Sequence, residues 1–549
     1  MRSIQSILRR PRISGAVLAV VALVSGTGLA AVLAAPESFG ASGASCAAGT
    51  LVRTTTGPVC GIVDKGVNEW LGIPYAAPPV GNLRWAPPRR HAPWTTTLQA
   101  TAFGSQCLQP GFPPAIPAGG SENCLYLNVW EPRGSVPSSG LPVMVHIHGG
   151  GFYLGSGNGD NTLLANTGHE VIVSMNYRLG IFGFLANSAL GRHSGDYGLQ
   201  DQQAALRWVQ ENIRAFGGNP NRVTIFGESA GGSSVCDQIA SPTAAGLFHR
   251  AISTSGEYNT LFGVPAAAGN LEPQDCKASL PTRAQADRIG ARFAAAVGCG
   301  SASDTAACLR QVPAAVVEKV AGSGYQYGGQ GTIAPTINGT TLTMSLRQAL
   351  RTGAVNRVPV IAGVDRDENL TGVANSPAQY RQLVHAQYGP LAPRVLARYP
   401  LDRFYSPFVA WRTVAADSDT VCPAIVTDQE LARWMPVYGY EIDDGNAPTS
   451  FFLPAGQPNG SYHVADWFLT PTPGLDANLQ VLQSQELTYV TTFARTGKPT
   501  GLHTPTWPEF NRSRQIMSLA PGADSQTLAR TQVAVDHNCS FWDKVSPKP

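Results

Sequence analysis

Short apolar runs and helical periods alternate along this chain. Val143–His148, Val171–Asn176, Val223–Phe226, Ala251–Ser253, Val358–Val364 and Val437–Ile442 are runs of strand length. Between two of them, Asp201–Phe216 carries Ala204, Ala205, Trp208, Val209 and Ile213 at helical spacing. Strands alternating with helices predict a mostly parallel sheet with helices on both faces. Residues 256–357 are rich in Ala and Gly, with a second helical pattern near Ala284–Val297. An insertion there is predicted to form a cap over the strand ends. Pro- and Gly-rich stretches at 109–120, 262–273 and 454–460 read as loops. No internal repeat and no coiled-coil heptad interrupts the pattern.

Length alone, at 549 residues, suggests three or four domains of ~150 residues. The pattern instead reads as one large α/β unit over 46–549, with the cap inserted at about 256–357. The first 35 residues form a separate segment: Arg2, Arg9, Arg10 and Arg12, then an apolar run from Ile13 to Ala35. Basic residues followed by an apolar stretch and small residues predict a secretory leader. Cleavage sites end near Ala31, Ala35 and Ala44, so the leader could extend to about 44. A retained membrane anchor is the competing reading, since ~20 apolar residues span a bilayer, but Ser25, Gly26, Thr27 and Gly28 dilute the run. Removing those four arginines takes the net charge from +3 to about −1. That balance leaves no electrostatic footprint for nucleic acid. The mature chain is therefore expected to be secreted, without stable membrane insertion; its oligomeric state is not legible.

Ten cysteines in an exported chain predict disulfides. No Cys-x-x-Cys occurs and no Cys/His cluster has zinc spacing, so neither metal nor cofactor is expected.

The chemistry begins at Gly227-Glu228-Ser229-Ala230-Gly231-Gly232. A G-x-S-x-G between a strand (Val223–Phe226) and a helix (from Ser233-Ser234-Val235-Cys236) has the form of a nucleophile elbow, which lifts the Ser229 hydroxyl clear of the sheet. An incidental serine in a tight turn would look the same. An acyl-transfer serine also needs an imidazole, an acid to orient it, and donors for the oxyanion. His148-Gly149-Gly150-Gly151-Phe152 follows the Val143 strand and can aim the N–H groups of Gly150 and Gly151, with that of Ala230, at a carbonyl oxygen.

From about residue 48 to its end the chain resembles the type-B carboxylesterases, the family that includes the cholinesterases. The resemblance rests on Leu71-Gly72-Ile73-Pro74-Tyr75-Ala76 with Pro78-Pro79-Val80-Gly81, on Ser121-Glu122-Asn123-Cys124-Leu125-Tyr126-Leu127-Asn128, on Asn176-Tyr177-Arg178-Leu179 and on Phe216-Gly217-Gly218-Asn219-Pro220. It implies the α/β-hydrolase fold and hydrolysis of carboxylic esters through an acyl-enzyme on Ser229. Its acid follows the strand Val358–Val364, where this chain reads Asp365-Arg366-Asp367-Glu368-Asn369. The family's usual Asp-Glu-Gly makes Glu368 the acid, with Asn369 in place of glycine; Asp365 and Asp367 are the rivals.

His385, His463, His503 and His537 follow Glu368. His385 sits in an apparent cap helix, His503 in a loop before Trp507-Pro508, and His537 beside Cys539. His463, in Tyr462-His463-Val464-Ala465-Asp466, resembles the family's His-x-x-Glu segment with Asp466 for Glu. Aligning Tyr438-Gly439-Tyr440-Glu441 there instead would put a tyrosine at the histidine position. His463 is the base on this reading, and Glu228 a neighbour of the site with no catalytic step. The resemblance also implies disulfides Cys107–Cys124, Cys299–Cys308 and Cys422–Cys539. Cys46–Cys60 and Cys236–Cys276 are the expected pairing of the remaining four, with other pairings open.

Two alternatives remain. The same triad serves lactones, thioesters, carbamates and amides. A binding protein on the same fold would have lost part of the triad, whereas Ser229, Glu368 and His463 are all present. Phe152 and Trp70 suggest an apolar gorge but name no substrate beyond a small ester.

Overall fold

A computed structural model describes residues 46–110, 118–256, 280–322, 333–368, 372–445, 447–448, 456–465, 469 and 472–545. The expected leader, Cys276, Asn369 and Asp466 lie outside the described residues. Among those residues no helix is long and apolar enough to cross a membrane.

The strands are β1 (Leu51–Arg53), β2 (Pro58–Cys60), β3 (Ile62–Asp64), β4 (Val67–Pro74), β5 (Leu98–Gln99), β6 (Tyr126–Pro132), β7 (Leu141–Ile147), β8 (Val171–Met175), β9 (Gly218–Glu228), β10 (Arg250–Thr254), β11 (Val360–Asp365), β12 (Val437–Ile442), β13 (Gln515–Leu519) and β14 (Gln526–Ala529). β1, β2 and β5 form a small separate sheet. The other eleven form one sheet in the order β14-β13-β12-β11-β10-β9-β7-β8-β6-β4-β3. From β13 to β8 every neighbouring pair is parallel, while β14 at one edge and β6, β4 and β3 at the other are antiparallel. The six sequence-predicted strands all fall in the parallel centre, because a strand covered on both faces is apolar without interruption. β8, β11 and β12 are buried at every position. β13 and the antiparallel strands β3, β4, β6 and β14 are not among the strands read from the pattern; β3 and β14, at the two edges, are largely exposed and carry little apolar signal.

The two faces carry separate cores. Val143, Val145 and Ile147 of β7 pack on one face and Met144 on the other, the period-two alternation of a strand. Helices Tyr197–Asn212 and Ala230–Ala240 cover the first face. Helix Ala477–Thr496 lays Leu479, Leu482, Leu487 and Phe493 against the second. Trp70 belongs to the core and not to a site wall: it is fully buried, edge-on to Phe216 at 4.8 Å, with its Nε1–H donating to the Thr50 carbonyl at 2.6 Å.

The described part of the expected cap holds helices Arg283–Ala296, Thr305–Gln311, Ala314–Gly322 and Leu346–Thr352. Among the described residues, disulfides join Cys46–Cys60, Cys107–Cys124, Cys299–Cys308 and Cys422–Cys539. Cys236 is disulfide-bonded too; Cys276, its expected partner, is outside the described residues.

Candidate active site

Parallel strands bring their C-terminal ends to one edge, and loops leaving neighbouring strands there converge. Ser229 follows β9 directly. Glu368 lies three residues past β11, and His463 follows β12 by a long loop. His148-Gly149-Gly150-Gly151 leaves β7, which pairs with β9 on its other side. Four segments far apart in sequence therefore meet at one end of the sheet.

At the elbow the strained residue is the serine itself. Ser229 has φ 57° and ψ −126° and caps helix Ala230–Ala240. A non-glycine residue in such a region costs of order 1–3 kcal/mol, held by its surroundings. Its N–H donates to the Thr254 carbonyl at 3.0 Å, and its own carbonyl accepts from the Ser233 N–H at 2.8 Å. The flanking glycines serve close approach: a Cβ on Gly231 would meet the Ile147 carbonyl at the end of β7, and one on Gly227 would lie 2.6 Å from the Gly231 carbonyl carbon.

The triple-glycine loop lies against the elbow. A Cβ on Gly149 would fall 2.6 Å from the Glu228 carbonyl oxygen and 3.2 Å from the Ser229 Cβ. Gly150 has φ 101°, open only to glycine. Among the described residues, the N–H groups of Gly150, Gly151 and Ala230 donate to no protein acceptor. His148 braces the loop. Its Nδ1–H donates to the Gly149 carbonyl at 2.8 Å, and its ring stacks on Tyr177 at 4.3 Å. Tyr177 in turn donates its hydroxyl to the His148 carbonyl at 2.8 Å. Burial lowers the His148 pKa to about 4, so the ring stays neutral and keeps Nδ1–H as donor. The residue after Tyr177 anchors this brace: Arg178 makes a buried two-pronged ion pair with Asp201 at 2.7 and 2.8 Å.

His463 lies between two carboxylates. Its Nδ1 bonds Glu368 Oε1, and its Nε2 is 3.1 Å from Glu228 Oε1, next to Ser229. The rival acids are engaged elsewhere or enclosed. Asp367 accepts from the Ser461 N–H at 3.2 Å while its own N–H donates to the Ser461 carbonyl at 2.9 Å. Asp365 is fully buried at the end of β11.

The rival histidines belong to other elements, His503 to the loop between helices Ala477–Thr496 and Phe510–Ser513. His385 is in helix Pro377–Tyr388. His537 is sealed between Asp417, 2.7 Å from its Nδ1, and Glu441, 3.4 Å from its Nε2. Glu228, given no step by sequence, is the carboxylate nearest Nε2. Nothing local in the sequence signals that contact, since it arises only when the β12 loop folds back over β9. Among the described residues no group of three His, Cys, Asp or Glu side chains could hold a metal ion.

The arrangement places an imidazole, held by two carboxylates, against the residue that precedes Ser229, with the triple-glycine loop beside that serine. Residues 48–388 match the carboxylesterase family. The chain is 33% identical to the para-nitrobenzyl esterase of Bacillus subtilis, an alignment covering 85% of this chain and 94% of that one. It is 32% identical to the fumonisin B1 esterase of Sphingopyxis macrogoltabida, covering 85% and 86% respectively. A solved para-nitrobenzyl (PNB) esterase superposes with a TM-score of 0.72 at 31% identity, covering 89% of this chain and 99% of that one.

Proposed function

The chain belongs to the carboxylesterase family and is a hydrolase of carboxylic esters, and we propose that it works through an acyl-enzyme on Ser229 with His463 as base and Glu368 as its orienting acid. The observation that carries this reading is His463 itself: one ring nitrogen is bonded to Glu368 and the other faces the residue that precedes Ser229.

Ser229 Oγ attacks the ester carbonyl as His463 Nε2 takes its proton. Glu368 holds the Nδ1–H tautomer and stabilises the imidazolium that forms. The Gly150, Gly151 and Ala230 N–H groups, which among the described residues donate to no protein acceptor, receive the oxyanion. Each such donor is worth about 3 kcal/mol of transition-state stabilisation. The imidazolium then protonates the departing alcohol, and water cleaves the acyl-enzyme by the same steps in reverse. Glu228 adds a second carboxylate beside the imidazolium.

The substrates proposed are small-molecule esters outside the cytoplasm. Export is supported by the basic and apolar first 35 residues and by the disulfides. The names of the relatives suggest p-nitrobenzyl esters as a first substrate panel, with acyl length graded from acetate upward. Ser229→Ala is expected to abolish hydrolysis of p-nitrophenyl acetate in a folded protein, and an organophosphate to label Ser229 alone. Retained turnover in Ser229→Ala would sink the reading.

A further inference from the structure

The loop that carries His463 is strained and is held by groups from two other elements. Tyr462-His463-Val464-Ala465 forms a turn closed by the Ala465 N–H donating to the Tyr462 carbonyl at 2.8 Å. Val464, the residue after the histidine, has φ 71°. A β-branched residue in the left-handed region is a true outlier, and such strain persists only where the surroundings over-determine it. Just before the turn, Gly460 has φ 62°, and a Cβ there would lie 2.7 Å from Arg412 Nη2 and would also strike Asp367 Oδ2.

Arg412 belongs to helix Pro407–Ala415, more than forty residues earlier in the chain, and its side chain is almost wholly buried. Its Nη1 donates to two successive loop carbonyls, Pro458 at 2.9 Å and Asn459 at 2.5 Å. Its Nη2 lies 3.5 Å from Asp367 Oδ1. Asp367 Oδ2 accepts from the Ser461 N–H, and Asp367 is joined by one peptide bond to Glu368. The two ends of the His463–Glu368 pair are thus tied through a second charged pair, whose arginine is buried and whose carboxylate is partly exposed. The helix adds a further tie, as Ser406 donates its hydroxyl to Gln457 Oε1 at 2.5 Å. Burying a guanidinium is costly unless it is paired and hydrogen-bonded. Only arginine's planar fork serves carbonyls and a carboxylate together.

We infer that Arg412 and Asp367 are positioning residues that clamp the His463 loop to the Glu368 turn and fix the distance from His463 to Ser229; this rests on His463 being the base. Neither touches the reacting atoms, so substrate binding does not depend on them. A displacement near 1 Å at the imidazole costs on the order of 100-fold in turnover.

The test uses Arg412→Met, Arg412→Ala, Arg412→Lys and Asp367→Asn, with His463→Ala as control, on p-nitrophenyl acetate. Active sites are first counted by stoichiometric organophosphate titration, so turnover is expressed per competent site. A merely structural role lowers the titratable fraction and leaves turnover per site unchanged. The inference expects kcat per site to fall about 10- to 100-fold in Arg412→Met and Asp367→Asn with KM within about threefold. It expects Arg412→Lys to fall between these and the parent, and added guanidinium ion to restore part of the activity of Arg412→Ala. Parental kcat per site in folded Arg412→Met, with His463→Ala inactive, overturns the inference and leaves the triad standing. If Arg412→Met does not fold, parental kcat per site in Asp367→Asn overturns it equally. Full activity in His463→Ala removes the base assignment instead, which is a different failure.

Discussion

Replacing Gly149 by alanine adds a single methyl group at the junction of the donor loop and the elbow. That methyl would lie 2.6 Å from the Glu228 carbonyl oxygen, 3.0 Å from Glu228 Oε2 and 3.2 Å from the Ser229 Cβ. The carboxylate oxygen can swing away, but the carbonyl cannot, because Glu228 is the last residue of β9 and pairs with Thr254 of β10. The donor loop must therefore give way. Opening 2.6 Å to an ordinary contact near 3.4 Å takes a shift of about 0.8 Å. Hydrogen bonds to an oxyanion work at about 2.7–3.1 Å, and a shift of that size leaves at least one donor beyond useful range. One lost donor corresponds to about 10²- to 10³-fold in kcat. The assay is kcat and KM on p-nitrophenyl acetate, normalised by organophosphate titration, with a thermal melt to confirm folding. Gly149→Ala is expected to lose kcat by that factor. A folded Gly149→Ala with parental kcat would refute the placement of the donor loop against Ser229.

Val464→Gly removes a left-handed β-branched residue beside His463 and is expected to raise the melting temperature or leave it unchanged, while lowering kcat severalfold because the histidine turn loosens; equal kcat with a lower melting temperature contradicts this. His537 gives a pH prediction. Burial opposes its charge, but Asp417 and Glu441 outweigh burial and raise its pKa from 6.5 to about 10. Burial pushes the Asp417 carboxyl upward as well, yet His537, Tyr399 and Asn538 all donate to it and hold the anion. A pKa raised on folding contributes stability that is complete below pH 6.5 and is lost as pH rises through about 10. Melting temperature should therefore fall between pH 7 and 10, and His537→Gln should melt lower at pH 7 with a flatter profile; an unchanged profile in the variant speaks against an imidazolium there.

The elbow was readable because its chemistry is local: a buried strand, a G-x-S-x-G and a helix are consecutive in the chain. There the structure puts the strained backbone at Ser229 itself and gives Gly227 and Gly231 the task of letting β7 approach. Glu368 against Asp367 was settled in the sequence only by resemblance. In the fold the two differ by where one peptide bond points their carboxylates, one to His463 and one to Ser461. Trp70 shows the opposite error, an aromatic that looked like gorge lining and is core.

What the sequence by itself determined is the parallel centre of the sheet, the strand–turn–helix around Ser229 and the triple-glycine loop after β7, since each depends on residues within a few positions of one another. Only the tertiary structure decided that Glu228 faces His463, that Asp367 serves the histidine loop and that Arg412 reaches it from another helix. Those contacts join residues from about fifty to over two hundred positions apart. A loop has no period to announce where its side chains end, and its geometry exists only once the strands on either side are in register.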